Sequence, residues 1–382
     1  MRDCHRELAG WMEPLGADVQ VDAAGNFRGV FPAAQPNAPR LLIGSHLDTI
    51  PNAGAYDGVL GVVLAIALLE ELRGRRLPFG IEVVAFSEEE GVRFGTPFIG
   101  SRALVGRLDQ ELLDTRDAQG ISVQEAIESF GLNPEKLPQA ELESNTLAYL
   151  EFHIEQGPVL EKLNLPIALV EAIAGQSRLE FTFLGRANHA GTTPMHLRCD
   201  ALAGAAEWIG TVERVAQGVP GLVATVGKIE SKPGATNVIA GKAWLTLDVR
   251  HSSDEIRNRV VVDLIRRAEG IAARRGLSVQ ERTLLSQRAV AMDSFLNGEI
   301  EQAILKTGCK PHRMVSGAGH DAMIMVERVP AAMIFLRTPG GISHDPAESV
   351  GCKDVEKAIE CGLHLLDQLA ASPKFQQRMN RA

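Results

Sequence analysis

The sequence has little that would cross-link it, stack on nucleobases or carry it through a membrane. Its five cysteines, Cys4, Cys199, Cys309, Cys352 and Cys361, form no C-x-x-C pair. An odd, scattered set in a chain of 382 residues excludes a disulfide framework. Aromatic residues make up only 5%, and basic residues fall short of acidic ones, 39 against 48, for a formal net charge of -9. A nucleic-acid binder needs a basic footprint and stacking aromatics, so that class is set aside. The longest apolar run, Val59 to Leu69, is broken by Gly61. It is far shorter than the roughly 18 residues a membrane span needs. The opening MRDCHRELAG holds no apolar signal core, so the cytoplasm is the expected location. What is present is ordinary for a globular chain, 45% hydrophobic and 23% charged, and its length calls for two or three domains. Ten histidines stand beside the 48 acidic residues, so any metal site would draw on nitrogen and oxygen ligands rather than thiolates.

The first part of the chain alternates strands and helices. Arg40–Ser45, Ile81–Phe86, Tyr149–Ile154 and Ile167–Ile173 read as strands, and Gly58–Leu72 as an apolar helix. From about Gly175 the pattern changes. Leu179–Leu184 alternates, Asp200–Ala216 is helical, Gly221–Ile229 and Ala243–Val249 are strands, Ser252–Arg275 is a long helix, and Leu277–Leu284 is a strand. Strand–helix–strand–strand–helix–strand is the order of a ferredoxin-like unit. After Ser294 the α/β pattern returns, with helix Gly298–Lys306, strand Ala331–Phe335 and helix Cys352–Leu369. The expected class is therefore α/β. A mixed-sheet α/β domain is formed by residues 1–175 and 291–382, with an α+β domain, residues 176–290, inserted in it.

The residues with chemistry to offer cluster at strand ends, where α/β sheets gather function. His46 and Asp48 follow the first apolar strand two residues apart, so both point the same way in an extended chain. Asp57 precedes the next helix. A strand-end His and an N-capping Asp would leave the same letters without a metal. Glu88, Glu89 and Glu90 run directly on from a β-branched strand, which is costly unless cations or water meet them. A solvated acidic loop would read the same way. His153 lies in an apolar strand, where a core histidine is more often simply hydrogen-bonded than a ligand. His189 and His196 sit in a polar loop, and His344 follows a glycine-rich turn.

Taken together, HLDT, AYDG, EEEGVRF, HIEQG, NHAGTTPM, GATNVIAG, SGAGHDA and GISHDPAE, in this order over nearly the whole chain, resemble the amidase/carbamoylase branch of the M20 metallopeptidase-like family. That branch includes allantoate amidohydrolases, ureidoglycolate-type amidohydrolases and N-carbamoyl-L-amino-acid hydrolases. The resemblance implies two divalent metal ions per subunit, zinc or manganese, with cobalt or nickel as alternatives. His46 and His153 would hold one ion, Glu90 and His344 the other, and Asp57 would bridge them. Asp48 would orient His46, and Glu89 would be the general base. His189 would steady the developing oxyanion. Gln176, Asn237 and Arg250 would receive the carboxylate of a small ureido or carbamoyl substrate, an arginine fork being suited to that group. The inserted domain would act as lid and dimerisation domain of a homodimer. Members of the family usually carry several dozen residues ahead of the segment matching MRDCHRELAG, so helices that pack on the first domain are expected to be missing here. The implied reaction is metal-dependent hydrolysis of a linear N-carbamoyl or ureido C–N bond. The alternatives are an M20-type dipeptidase or aminoacylase, against which HIEQG speaks, since those peptidases usually place a carboxylate at the position of His153. A non-catalytic binder of small acids, or an acidic α/β protein without metal, are the further alternatives.

Overall fold

The computed structural model describes residues 1–380. The chain divides into two compact units, Met1–Glu171 with Met292–Ala382, and Ala172–Ala291. In chain order the first strands are β1 (Asp18–Val21), β2 (Phe27–Phe31), β3 (Arg40–His46), β4 (Gly80–Phe86), β5 (Thr146–Ile154) and β6 (Ile167–Ile173). They are followed by β7 (Gly175–Leu184), β8 (Val223–Thr225), β9 (Ile229–Lys232), β10 (Lys242–His251), β11 (Ser278–Gln287) and β12 (Val290–Ala291). The last two are β13 (Arg313–Ser316) and β14 (Ala331–Leu336).

In the first unit the strands are ordered β1-β2-β4-β3-β5-β14-β6, and β13 also pairs with β6. The four central strands β4, β3, β5 and β14 run parallel, and the flanking pairs β2/β4 and β14/β6 are antiparallel. The sheet is therefore mixed. Parallel neighbours end at the same edge, so the residues just after β3, β4, β5 and β14 share one rim. The central strands are buried along almost their whole length, which is why they read as continuous apolar runs rather than alternating ones. Helix Val59–Glu71 is apolar nearly all round and packs between the sheet and helix Cys352–Ala371. It lies close: a Cβ at Gly61 would come within 2.0 Å of the Phe152 carbonyl oxygen.

The second unit has a five-stranded antiparallel sheet, ordered β11-β7-β10-β8 with β9 also on β10, packed beneath helices Ala201–Gln217 and Asp254–Arg274. Trp208 is fully buried at its centre, 4.2 Å from the Phe181 ring, and donates its indole N–H to Leu264 O.

Several boundaries differ from the sequence reading. The expected strand Gly221–Ile229 is broken into β8 and β9, which pair with different ends of β10. The units meet at Glu171/Ala172 and Ala291/Met292 rather than after residues 175 and 290. The reason is that β6 pairs with β14 only as far as Val170, whereas Ala172 and Ile173 pair with β12. The helix expected at Gly298–Lys306 starts at Ser294, capped by the Asp293 carboxylate on the Leu296 N–H. Helix Arg2–Met12 and strands β1 and β2 have no counterpart in the sequence reading.

Candidate metal centre

The rim of the first unit brings together residues from four strand ends. His46 is the last residue of β3, Glu88–Glu90 follow β4, His153 lies near the end of β5, and His344 sits in the loop after β14. Asp57 stands just before the helix Val59–Glu71, whose cap is Gly58 and which has no side-chain cap, so Asp57 is not the capping residue. Gly58 has φ of 69°, and a Cβ there would come within 2.3 Å of the His46 ring. Only glycine allows the chain to turn into the helix at that point and leave the ring its place.

His46, Asp57 and His153 are all buried. Asp57 Oδ1 lies 3.2 Å from His153 Nε2 and 3.8 Å from His46 Nε2, and its other oxygen lies 3.0 Å from His344 Nε2. Glu90 Oε1 is 3.6 Å from the same His344 nitrogen. Two sets could each hold an ion, His46 with Asp57 and His153, and Asp57 with Glu90 and His344, the ligand atoms within 4.8 Å of one another in each set. Two more groups meet the same test: His46 with Glu89 and Glu90, and Glu151 with His153 and His320.

The donor chemistry fits a cation. Glu90 Oε1 and Asp57 Oδ1 are buried and accept no hydrogen bond among the described residues. Buried acceptors facing one another without donors are costly unless positive charge lies between them. The electrostatics agree. Burial pushes the Asp57 carboxyl up, but His153, His46 and His344 outweigh it and hold it below the usual carboxylate range. Burial pushes the His153 ring down, but Asp57, Glu151 and the Ile154 carbonyl outweigh it and push it up to about 9. Burial and His153 push His46 the other way, down. Burial, together with Asp57, pushes Glu90 up to about 7. Burial, with Asp321, Glu90, Asp48 and Glu151, drives Glu89 well above its ordinary range. The site holds more carboxylate than it can ionise unaided.

The glutamate run is clamped from both sides. The Asp48 carboxylate accepts the main-chain N–H groups of Glu89 (3.0 Å) and Glu90 (3.1 Å). The carbonyls of Ser87, Glu88 and Glu89 accept the N–H groups of Gly100, Ile99 and Phe98. Glu88 has φ of 56°. Asp48 thus acts differently from the expectation: the group against His46 Nδ1 is the Asp48 main-chain carbonyl, at 2.8 Å, and its carboxylate serves the glutamates. An i, i+2 pattern puts both side chains on one side but says nothing of which oxygen reaches the ring.

Three residues that position Asp57 were missed from the sequence. Gln156 donates its amide to Asp57 Oδ2 (2.9 Å), Ser343 donates to the same oxygen (3.3 Å), and Glu348 accepts the N–H groups of Tyr56 and Asp57. All lie within HIEQG and GISHDPAE, beside the histidines that drew attention first. His320 is buried with its ring centroid 4.4 Å from that of His153, and Asp321 is fully buried.

The remaining candidates lie in the second unit. His189 and Asn237 come together: the His189 and Val238 backbones form a bridge, and the Ala190 N–H donates to Asn237 O (2.9 Å). His189 is exposed, and its Nδ1 accepts the N–H groups of Gly191 and Thr192. Gln176 and Arg250 are cross-strand partners on β7 and β10.

The chain is similar to known proteins over nearly its whole length. The profile of peptidase family M20/M25/M40 matches residues 42–368. The N-carbamoyl-L-amino acid amidohydrolase of Geobacillus stearothermophilus is 40% identical over 366 residues, covering 95% of this chain and 90% of the relative. The allantoate deiminase of Arabidopsis thaliana is 40% identical over 396 residues, covering 95% and 75%. Among solved structures, a hydantoinase/carbamoylase family amidase from Burkholderia multivorans superposes with a TM-score of 0.91 at 31% identity, covering 96% of this chain and 90% of that one.

Proposed function

The chain belongs to peptidase family M20/M25/M40, and from that premise we propose that it hydrolyses the C–N bond of a linear N-carbamoyl or ureido substrate bearing a carboxylate. The observation that carries the reading is the Asp57 carboxylate, with His153 Nε2 at 3.2 Å from one oxygen and His344 Nε2 at 3.0 Å from the other. His46, His153 and Asp57 would hold one divalent ion, and Asp57, Glu90 and His344 a second. Bound there, the ions would supply the positive charge that polarises the scissile carbonyl and acidifies the attacking water.

The proton transfer is assigned to Glu89. This residue is buried, its backbone is fixed by Asp48, and its carboxylate lies 4.0 Å from His46 Nε2. It takes a proton from the water and returns it to the leaving nitrogen. For a carbamoyl substrate the sum is R–NH–CO–NH2 with water giving R–NH2, carbon dioxide and ammonia. His189 suits an oxyanion donor: its Nδ1 is an acceptor for two main-chain N–H groups, so the neutral ring carries its proton on Nε2. Gln176, Asn237 and Arg250 are assigned to the substrate's carboxylate. The lid and dimerisation role of the second unit, a homodimer and a cytoplasmic location belong to the same proposal. No helix among the described residues is long and apolar enough to cross a membrane.

The test is ammonia release from allantoate, ureidoglycolate, N-carbamoyl amino acids and β-ureidopropionate, with zinc, manganese, cobalt and nickel supplied separately. Turnover of at least one of these with metal is expected. Cleavage of dipeptides or N-acyl amino acids alone would move the protein to the peptidase reading.

A further inference from the structure

The sheet of the second unit carries a charge cluster only part of which the proposed function uses. On β7 and β10, Gln176 stands opposite Arg250 and Arg178 opposite Asp248. The residues between them, Ser177 and Val249, are buried, and Val249 with the next positions of the alternation, Leu179 and Leu247, belongs to the core under the two helices. Alternation therefore places Gln176, Arg178, Asp248 and Arg250 together on the other face of the sheet. There the Asp248 carboxylate collects four donors. Arg250 gives Nε (2.9 Å) and Nη2 (3.1 Å), Arg178 gives Nε (3.1 Å), and Gln176 gives its amide N–H. Two guanidinium groups around one carboxylate leave one net positive charge on the cluster. Farther along β7, Glu180 is matched by Arg282, so that excess is confined to the Arg178–Arg250 end. Burial pushes the Asp248 carboxyl up, but the donors from Arg250, Gln176 and Arg178 outweigh it and keep it below its ordinary range.

We propose that Asp248 is the positioning residue of the carboxylate-binding group: it holds the Arg250 fork and the Gln176 amide in one arrangement, with Arg178 as a second cation, so that the cluster offers one net positive charge to a ligand with one carboxylate. The inference rests on the reading that Arg250 and Gln176 receive the substrate's carboxylate. Its physical basis is preorganisation. A free arginine side chain loses several torsions when a ligand fixes it, and a guanidinium already fixed by a neighbouring carboxylate loses fewer. Gln176 cannot replace Asp248 in this role, because an amide supplies no charge to hold two guanidinium groups side by side.

The experiment is a double-mutant cycle read in KM and kcat with the best substrate of the panel, in the metal-loaded enzyme: wild type, Asp248→Asn, Arg250→Met and the double variant. Asp248→Asn should raise KM roughly tenfold, the size of one lost charge-assisted hydrogen bond, with a much smaller change in kcat. In the Arg250→Met background the same substitution should add little to KM. Equal effects in both backgrounds would mean that Asp248 merely supports the strand, and would overturn the inference. No effect of Asp248→Asn beside a large effect of Arg250→Met would also overturn it while leaving the carboxylate reading intact. No effect of Arg250→Met would sink the carboxylate reading itself. Asp248→Thr, which suits a strand and keeps one acceptor oxygen, replaces the asparagine variant if that fails to fold. Independently of turnover, the arginine Nε–H spectrum of isotope-labelled protein should show an Arg250 resonance protected from exchange. Its protection should disappear in the Asp248 variant, and persistence would overturn the inference.

Discussion

The Nε2 atoms of His46 and His153 face each other at 3.3 Å, while the Nδ1 atom of each ring lies against a main-chain carbonyl, Asp48 O at 2.8 Å and Ile154 O at 2.9 Å. A carbonyl only accepts, so both Nδ1 atoms carry protons; the proton that Asp57 holds on His153 Nε2 is the one a metal would displace, leaving both Nε2 lone pairs turned toward one point beside Asp57. Such an arrangement favours a shared cation. Removing divalent metal with a chelator should therefore abolish activity and lower Tm, and adding metal back should restore both. Free metal at a thousandfold above Kd stabilises a fold by about 4 kcal/mol. Asp57→Ala should lower the metal content of purified protein, read by elemental analysis. Full metal occupancy in that variant would contradict the assignment of Asp57.

Glu89→Gln isolates the proton transfer. The variant keeps the size of the side chain and the main-chain bond to Asp48, so metal content should stay at the wild-type level. Loss of the general base should lower kcat by roughly 10²–10⁴, the range such groups supply. A variant that turned over at the wild-type rate would show that another group moves the proton.

Asp48 separates two roles that one residue fills. Asp48→Ala removes the carboxylate from the Glu89 and Glu90 N–H groups and leaves the main-chain carbonyl that faces His46. Metal at the His46–His153 pair should persist, while kcat falls by up to about a hundredfold, as expected when a reacting group is misplaced by about 1 Å. Combined with Glu89→Gln the loss should be far less than additive, because both act on the same group. A parallel loss of metal in Asp48→Ala would mean that the carboxylate also orients the imidazole.

Much of this was legible in the sequence because the central strands are parallel and buried. Their apolar runs stand out, and the polar residues that follow them, His46, Glu89, Glu90 and His153, stand out as sharply. What could not be read depends on partners far along the chain. β2 is hidden because a charged residue, Arg28, stands second in it, and Arg28 is buried because Glu82 on β4 meets its Nε at 2.6 Å and the Ala140 carbonyl accepts from its Nη1 at 3.0 Å. The Asp57 carboxylate is shared by Gln156 and Ser343, residues that pattern alone gives no reason to join. Asp48 shows a finer limit: its place in the sequence was informative, but the choice between its carboxylate and its carbonyl is made by the loop after β4.

His5 gives a pH dependence away from the metal centre. It is buried on helix Arg2–Met12 against the rings of Phe27 and Phe130, and its Nε2 has no hydrogen-bond partner among the described residues. Burial, with the nearby N-terminal charge, pushes the ring from 6.5 down to about 4. The folded state then binds fewer protons than the unfolded state between those values. Its contribution to stability is complete above pH 6.5 and is lost as pH falls toward 4. Denaturation at pH 7 and at pH 5 should show a larger loss for wild type than for His5→Leu. Equal losses would mean that the ring is accessible enough to protonate in place.

Gly58 offers the sharpest link between backbone and site. Its φ of 69° is one that side chains resist, and a Cβ would come within 2.3 Å of His46 Cε1 and Nδ1. Gly58→Ala therefore faces two costs at once, backbone strain of about 1–3 kcal/mol and a ring that must leave its place beside His153. Relief of the clash moves Nδ1 away from the Asp48 carbonyl, and the lone pair on Nε2 turns with it. Metal content and Tm should both fall, and kcat with them. Gly10 is the control, since a Cβ there meets nothing within 4 Å and the residue lies inside helix Arg2–Met12. Gly10→Ala should raise stability by about 0.5–1 kcal/mol and leave metal content as it was. If Gly58→Ala lowered Tm without lowering metal content, the strain would be confined to the backbone, and the glycine would serve the helix start rather than the His46 ring.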